Sequence, residues 1–311
     1  MAELLSTFPS RKWAPTWLTI GNFDGVHLGH QALVRSVLRY ARRDGAMASV
    51  LTFDPHPRRF FQSDEVDNYL MTRHEKEETL ASLGVDQVIT INFNQTFATM
   101  FAEDFLQLLQ DHFELKGIVI GPNFGFGRGR TGGVEFVKEN LESEGISVIV
   151  ADPVCYEGEA ISSSAIRTAL LSGKPEAAKA QLGRPFSMTG KVIKGKKRGR
   201  KLGLPTANMK VQPTKLVPKF GVYATLCHLD GKVYRSVSSL GVRPTFDDTR
   251  LPNLETLILD FDDNIYKKTI TVDFMNYIRP EIKFDSIPDL VGKIEEDKEI
   301  ARRLLKDGSK A

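Results

Sequence analysis

The ten residues "GNFDGVHLGH" at 21 to 30 set Gly21, Gly25 and Gly29 around Asn22, Phe23, Asp24, His27 and His30, directly after an apolar run. Glycines so spaced let a backbone turn sharply and approach a ligand closely. A helix starting near Leu28 would aim its free N–H groups and positive dipole end at that ligand. Two imidazoles three residues apart in its first turn can donate hydrogen bonds to phosphate oxygens. A metal pair, which lacks a third ligand close in sequence, and ordinary packing are the competing readings.

A second cluster, "GKVIKGKKRGRKLGLPTANM" at 190 to 209, holds seven basic residues between Lys191 and Lys201, punctuated by Gly195, Gly199 and Gly203. Such a run suits a loop folding over polyphosphate, a solvated face or RNA binding, although no aromatic residue interleaves for base stacking. Just beyond Pro205, Thr206 and Asn208 offer oxygen ligands suited to Mg2+.

Three shorter segments carry further polar groups. "GPNFGFGRGRTGG" at 121 to 133 contains Asn123 and reads either as a ligand loop or as a flexible lead into a helix. "ISSSAIR" at 161 to 167 presents Ser163 and Ser164 with Arg167 one turn further on; simple helix capping is its alternative. His56 in "TFDPHP" follows an apolar run, between two prolines that would stiffen a turn.

These groups need elements to position them. Over residues 17 to 181, short β-branched runs such as "TWLTIGNF", "MASVLTF", "DQVITINF", "KGIVIG" and "ISVIVAD" alternate with helical periods at 28 to 45, 72 to 83, 97 to 113 and 133 to 144. That pattern predicts a doubly wound α/β domain with ligands beyond the carboxyl ends of its strands, where "GNFDGVHLGH" falls. Past Gly183, "SMTGKVI", "GVYATLCHL", "KVYRSVSSL", "LETLILDF" and "KTITVDFM" predict a small β-barrel. A final helix capped by Ser286 closes the chain, with Ile287, Leu290, Val291, Ile294, Ala301, Leu304 and Leu305 as its apolar stripe. We place the domain boundary at 183/184.

The 311 residues suffice for two cores, and 42 basic against 39 acidic residues give a net charge of +3, too balanced for bulk attraction to nucleic acid or membrane. Cys155 and Cys227 lie too far apart to suggest a disulfide framework, the first fifteen residues lack the apolar core of a signal peptide, and no run approaches a membrane span. A cytoplasmic protein is expected, with no nucleic-acid or membrane partner and its oligomeric state open.

Taken in order, "GNFDGVHLGH", "TFDPHP", "GPNFGFGRGRTGG" and "ISSSAIR" resemble the nucleotidyltransferase superfamily marked by HxGH, here "HLGH", and more closely the adenylyltransferase half of the bacterial bifunctional riboflavin kinase/FAD synthetase family. "GRPF", "RGRKLGLPTAN", "GVYA", "LGVRPTF", "LETLILDFD" and "YIRPEIKFDSIPDL" resemble its kinase half, so the resemblance runs from about Leu18 to Leu305. It implies a nucleotidyltransferase-type α/β domain over 1–183, and over 184–311 a six-stranded riboflavin-kinase-type β-barrel with a terminal helix. The substrates implied are riboflavin, FMN and ATP, with Mg2+ as cofactor.

The same resemblance implies roles at the matching positions. Gly21, Asn22, Phe23, Asp24, His27, His30, Ser163, Ser164 and Arg167 would bind ATP for adenylyl transfer, with His27, His30 and Asn123 catalytic. His56, Asn123 and Arg243 would contact flavin. In the kinase half Gly195, Lys201, Gly203, Pro205, Thr206 and Asn208 would bind ATP, Thr206 and Asn208 would hold Mg2+, and Glu255 would be the catalytic base. Gly125, Ser164, Leu204, Ser239 and Leu257 depart from the family's usual residues; the first two bear on adenylyl transfer. An aminoacyl-tRNA synthetase shares the HxGH-type signature, but no tRNA-binding domain is recognisable.

Overall fold

The computed structural model describes residues 2–10, 14–61, 68–193, 205–242 and 252–306. The chain divides into two compact units, Met1–Ser163 and Ser164–Ala311.

In the first unit six strands form one parallel sheet: β1 (Glu3–Leu5), β2 (Pro15–Ile20), β3 (Met47–Asp54), β4 (Gln87–Asn92), β5 (Glu114–Ile120) and β6 (Ser147–Val150), ordered β1-β4-β3-β2-β5-β6. Both faces are covered, as Val- and Ile-rich parallel strands require. Trp17 and Val119 pack with Val37 and Ala41 of helix α1 (Leu28–Asp44), while Leu18, Ile118 and Ile120 pack with Leu106, Leu109 and Leu141 on the other side. Strand order reverses at β2, whose neighbours are β3 and β5. The doubly wound reading holds, and the crevice beyond β2 and β5 is its switch point.

Helices α2 (Pro57–Phe61), α3 (Arg73–Ser82), α4 (Gln95–Thr99), α5 (Ala102–His112) and α6 (Val134–Glu142) complete the layers. The single helix expected over 97 to 113 is broken. Met100 and Phe101 are extended, and the Met100 carbonyl accepts the backbone N–H of Arg128 at 2.8 Å, so the glycine-rich loop takes a bond the helix would have used. Strand β1 was not expected; its pairing with β4 fixes the chain's start. A short hairpin, β7 (Cys155–Tyr156) and β8 (Glu159–Ala160), precedes helix α7 (Ser163–Leu171).

In the second unit α8 (Pro175–Leu182) packs on β9 (Phe186–Ile193) and β14 (Thr269–Arg279). With β10 (Ala207–Lys210), β11 (Gly221–Leu229), β12 (Lys232–Val242) and β13 (Pro252–Ile258) these strands close a six-stranded antiparallel barrel, ordered β10-β13-β12-β11-β14-β9. Strand β10, which carries Ala207 and Asn208 of the "TAN" stretch, completes it.

The terminal helix Ile287–Leu304 starts at Ser286, whose hydroxyl accepts the Asp289 N–H at 3.2 Å. It covers Val222, Ala224, Leu226, Val237 and Leu257 on the barrel's outer face with Ala301 and Leu305. Arg279 clamps it through Asp297, Nη2 to Oδ2 at 2.6 Å and Nε to Oδ1 at 2.9 Å. Ile287 and Leu304, expected in the apolar stripe, are exposed because they stand at the helix ends. No helix among the described residues is long and apolar enough to cross a membrane, and Cys155 and Cys227 are both free thiols.

Candidate active sites

The turn after β2 is held in an unusual shape by burial. Phe23, Gly25 and Val26 have φ of 50°, 81° and 38°. For two non-glycine residues that is a costly conformation, and here Phe23 and Val26 are both fully buried against Val34, Val50, Leu80 and Val88. Phe23 can therefore offer a ligand only its backbone. The Asp24 carboxylate turns inward as well, accepting the N–H groups of Leu70 at 3.0 Å and Met71 at 3.3 Å. Its carbonyl accepts the Ser163 hydroxyl at 2.9 Å, which brings the last residue of the first unit back to this turn. Ser164 and Arg167 follow on α7 and count with the second unit.

His27 caps α1: its Nδ1 accepts the backbone N–H of His30 at 3.3 Å, so in the neutral ring the proton sits on Nε2. The two imidazoles stack with centroids 3.6 Å apart. Gly29 permits this, since a Cβ there would come within 3.1 Å of the His27 ring. Burial, then His27, then Lys76 hold the pKa of His30 well below 6.5. At neutral pH it is an uncharged donor beside a helix N-terminus, and its Nδ1 is buried with no hydrogen-bond partner among the described residues.

A cavity of about 660 Å³ opens at the switch point. Gly21 and Asn22 from the β2 turn, His56 after β3, and Asn123 and Arg130 after β5 supply its polar groups; Phe53, Phe93, Phe97, Phe124 and Phe126 supply its walls. No acidic residue is among the described lining residues. His27 and His30 do not line it; they flank it through the turn. His56 Nδ1 accepts the Arg58 N–H at 3.1 Å. At Gly125 a Cβ would stand 2.8 Å from Nη2 of Arg130, the end of an exposed side chain that can move aside, so the structure gives no requirement for glycine there; the Arg130 guanidinium donates to the Asn123 carbonyl at 3.3 Å. The aromatic walls and Arg130 were missed as site residues, because their convergence depends on the break at Met100.

On the barrel, Asn208 of β10 and Ser239 of β12 both stand in register with Glu255 of β13. Buried Asn253 bridges the first pair, its Nδ2 lying 3.4 Å from both Asn208 Oδ1 and Glu255 Oε1. Pro205 and Thr206 lead into β10, and Asn208 Nδ2 donates to the Thr206 carbonyl at 3.4 Å. A second carboxylate, Glu281, lies against Gly241 and accepts a hydrogen bond from Ser239. Burial and repulsion by Glu255 push its pKa up. Leu257 belongs to the apolar seam under the terminal helix. The structure gives no reason for Ser164. Asn253 and Glu281 left no local signal, being joined to Glu255 only by strand pairing and packing. Gly195, Lys201, Gly203, Leu204 and Arg243 lie outside the described residues.

Thr206 and Asn208 bring hard oxygen donors, a hydroxyl and an amide, without sulfur or imidazole, which fits Mg2+ carried by ATP phosphates. Among the described residues no cluster of three or more His, Cys, Asp or Glu could hold a metal by itself.

The family model for FAD synthetase matches residues 10–165, and that for riboflavin kinase matches residues 182–305. Curated proteins named bifunctional riboflavin kinase/FMN adenylyltransferase are similar along most of the chain. The Haemophilus influenzae protein is 39% identical over 289 residues, 92% of this chain and 92% of its own. The Bacillus subtilis protein is 34% identical over 93% of this chain and 92% of its own. Among solved structures, a Streptococcus pneumoniae protein titled as a macrolide-efflux protein matches with a TM-score of 0.89 and 31% identity, over 96% of this chain and 98% of that one.

Proposed function

The chain belongs to the family of bifunctional riboflavin kinase/FMN adenylyltransferases, and from that premise we propose how its residues divide the two reactions. It phosphorylates riboflavin to FMN and adenylylates FMN to FAD with release of pyrophosphate, using ATP in both steps. We assign adenylyl transfer to residues 1–183 and the kinase to residues 184–311.

One contrast carries the assignment. Among the described residues the pocket at the switch point has no acidic lining residue, whereas the barrel holds Glu255 beside two amides. FMN attacks the α-phosphorus of ATP through a phosphate oxygen that is already anionic, so alignment and charge stabilisation suffice. His27, His30 and the N-terminus of α1 donate to the ATP phosphates, with Gly21, Asn22, Phe23 and Asp24 shaping the turn and Ser163, Ser164 and Arg167 holding the triphosphate. His56 and Asn123 place the FMN phosphate, and the phenylalanine walls take the isoalloxazine ring.

Riboflavin instead attacks the γ-phosphorus through a neutral ribityl hydroxyl, whose proton must leave as the bond forms. Glu255 accepts that proton. Asn253 orients it, because one amide spans Glu255 and Asn208. Thr206 and Asn208 would hold magnesium, which when bound neutralises charge on the ATP phosphates. Pro205, Gly195, Lys201 and Gly203 would bind ATP, and Arg243 would bind flavin. We place the protein in the cytoplasm, consistent with two free thiols.

The test is a product assay on the full chain with riboflavin and MgATP. FMN should appear first and FAD with pyrophosphate after it. FMN as the sole end product, with supplied FMN also left unconverted, would overturn the adenylyl assignment.

A further inference from the structure

Helix α3 buries a lysine. Lys76 is 7% exposed and lies one turn before Leu80 on the same sheet-facing side. A buried ammonium is costly unless its donors are paired. The Lys76 Nζ donates to the Phe53 carbonyl at 2.8 Å, to Thr52 Oγ1 at 3.1 Å and to the Asn22 carbonyl at 3.3 Å. The Thr52 hydroxyl also donates to the Asn22 carbonyl, at 3.1 Å. One cation thus joins the turn after β2 to the end of β3, and both Asn22 and Phe53 line the cavity. Burial lowers the pKa of Lys76, while the Asp24 and Asp54 carboxylates oppose that and keep the charge compensated. A buried ion with its partners adds little net stability compared with an apolar side chain of similar size. What it adds is geometry, since three acceptors, two from β3 and one from the turn after β2, are tied to one point.

We propose that Lys76 is a positioning residue for adenylyl transfer, locking the 21–27 turn to the carboxyl end of β3 so that two walls of the pocket keep one separation. It touches neither substrate. The proposal rests on the assignment of adenylyl transfer to the first unit. In a reaction run by alignment, a misplacement of about 1 Å costs on the order of 10²-fold in rate. The loss should therefore fall on kcat, with the KM for FMN little changed.

Lys76→Met keeps the length of the side chain and removes the charge and all three bonds. Thr52→Val removes one acceptor and its bond to Asn22. Both are assayed as full chains beside the unsubstituted protein, with rates expressed per folded molecule. Lys76→Met should form FAD from supplied FMN at least tenfold more slowly, and Thr52→Val severalfold more slowly, with KM for FMN and the kinase rate within twofold.

A merely structural role would not separate the kinetic constants: loss of folded protein lowers the observed rate in proportion to the folded fraction and leaves kcat per folded molecule unchanged. A lower kcat per folded molecule at unchanged KM is therefore the readout that decides. If Lys76→Met does not fold, Thr52→Val decides: a severalfold loss of kcat supports the proposal and an unchanged kcat overturns it. FAD formation within twofold in both variants overturns it while leaving the functional reading intact. An unsubstituted protein that makes no FAD overturns that reading and the proposal with it.

Discussion

The two sites differ in what their carboxylates do. At the switch point of the parallel sheet Asp24 is committed to the backbone N–H groups of Leu70 and Met71, and no acidic side chain reaches the described cavity wall. On the barrel Glu255 stands with Asn208 and Ser239 in register on its two sides, and Glu281 is close enough for the two carboxylates to repel. A carboxylate held by backbone donors is a structural brace; one held by amides on a sheet surface can still take a proton. On the proposed assignment the contrast follows the nucleophiles, an anion in one reaction and an alcohol in the other.

The sharpest way to break the comparison is to remove the carboxylate proposed as base. Glu255→Gln should slow FMN formation about 10²- to 10⁴-fold, on the order of 3 to 5 kcal/mol of barrier, while FAD formation from supplied FMN stays within twofold. Separate assays of the two steps check it, and equal loss of both would erase the division of labour. The converse is His27→Ala combined with His30→Ala. Loss of two donors to developing phosphate charge should lower FAD formation by about 10²- to 10³-fold and spare the kinase. A double variant making FAD at the normal rate would leave the stacked imidazoles as a helix cap and nothing more.

A smaller effect sharpens the barrel side. Asn253→Leu removes the amide that spans Asn208 and Glu255 but keeps a side chain of similar volume. Kinase kcat should fall roughly tenfold, as one hydrogen bond to a charged group is lost, with adenylyl transfer unchanged. An unaltered kcat would mean that strand pairing alone orients Glu255.

These variants also mark how far local patterns reach. Strands β2 to β6 were legible because buried parallel strands are β-branched and short, and α1 because Val34, Val37 and Ala41 recur at helical spacing. The motifs were legible where chemistry is local: glycines, histidines and the capping serine. Lys76 was not, since "RHEKEETL" reads as a solvated helix face and only tertiary contact turns one of its charges inward. Asn253 and Glu281 act across strands, where spacing along the chain carries no information. The broken helix at Met100 was hidden for a similar reason: its Phe97, Phe105 and Leu109 keep helical periodicity on either side of a bond made with residue 128.

The mildest prediction concerns pH and tests whether the first site is built around neutral imidazole. His30 in the folded protein has a pKa well below 6.5, from burial first and then from His27 and Lys76. Between that lowered value and 6.5 the unfolded chain binds a proton at His30 that the folded chain does not, so acid favours unfolding. This contribution is fully present above 6.5 and is lost as pH falls toward the folded value. The thermal midpoint of the full chain should therefore drop on acidification through that window, and His30→Gln should flatten the drop while leaving the midpoint above pH 7 nearly in place. A barrel variant such as Asn253→Leu, with no titrating side chain exchanged, should keep the unsubstituted slope. A His30→Gln protein with that same slope would mean that the ring takes its proton freely in the folded state, and the first site would then work with a cation at its helix terminus.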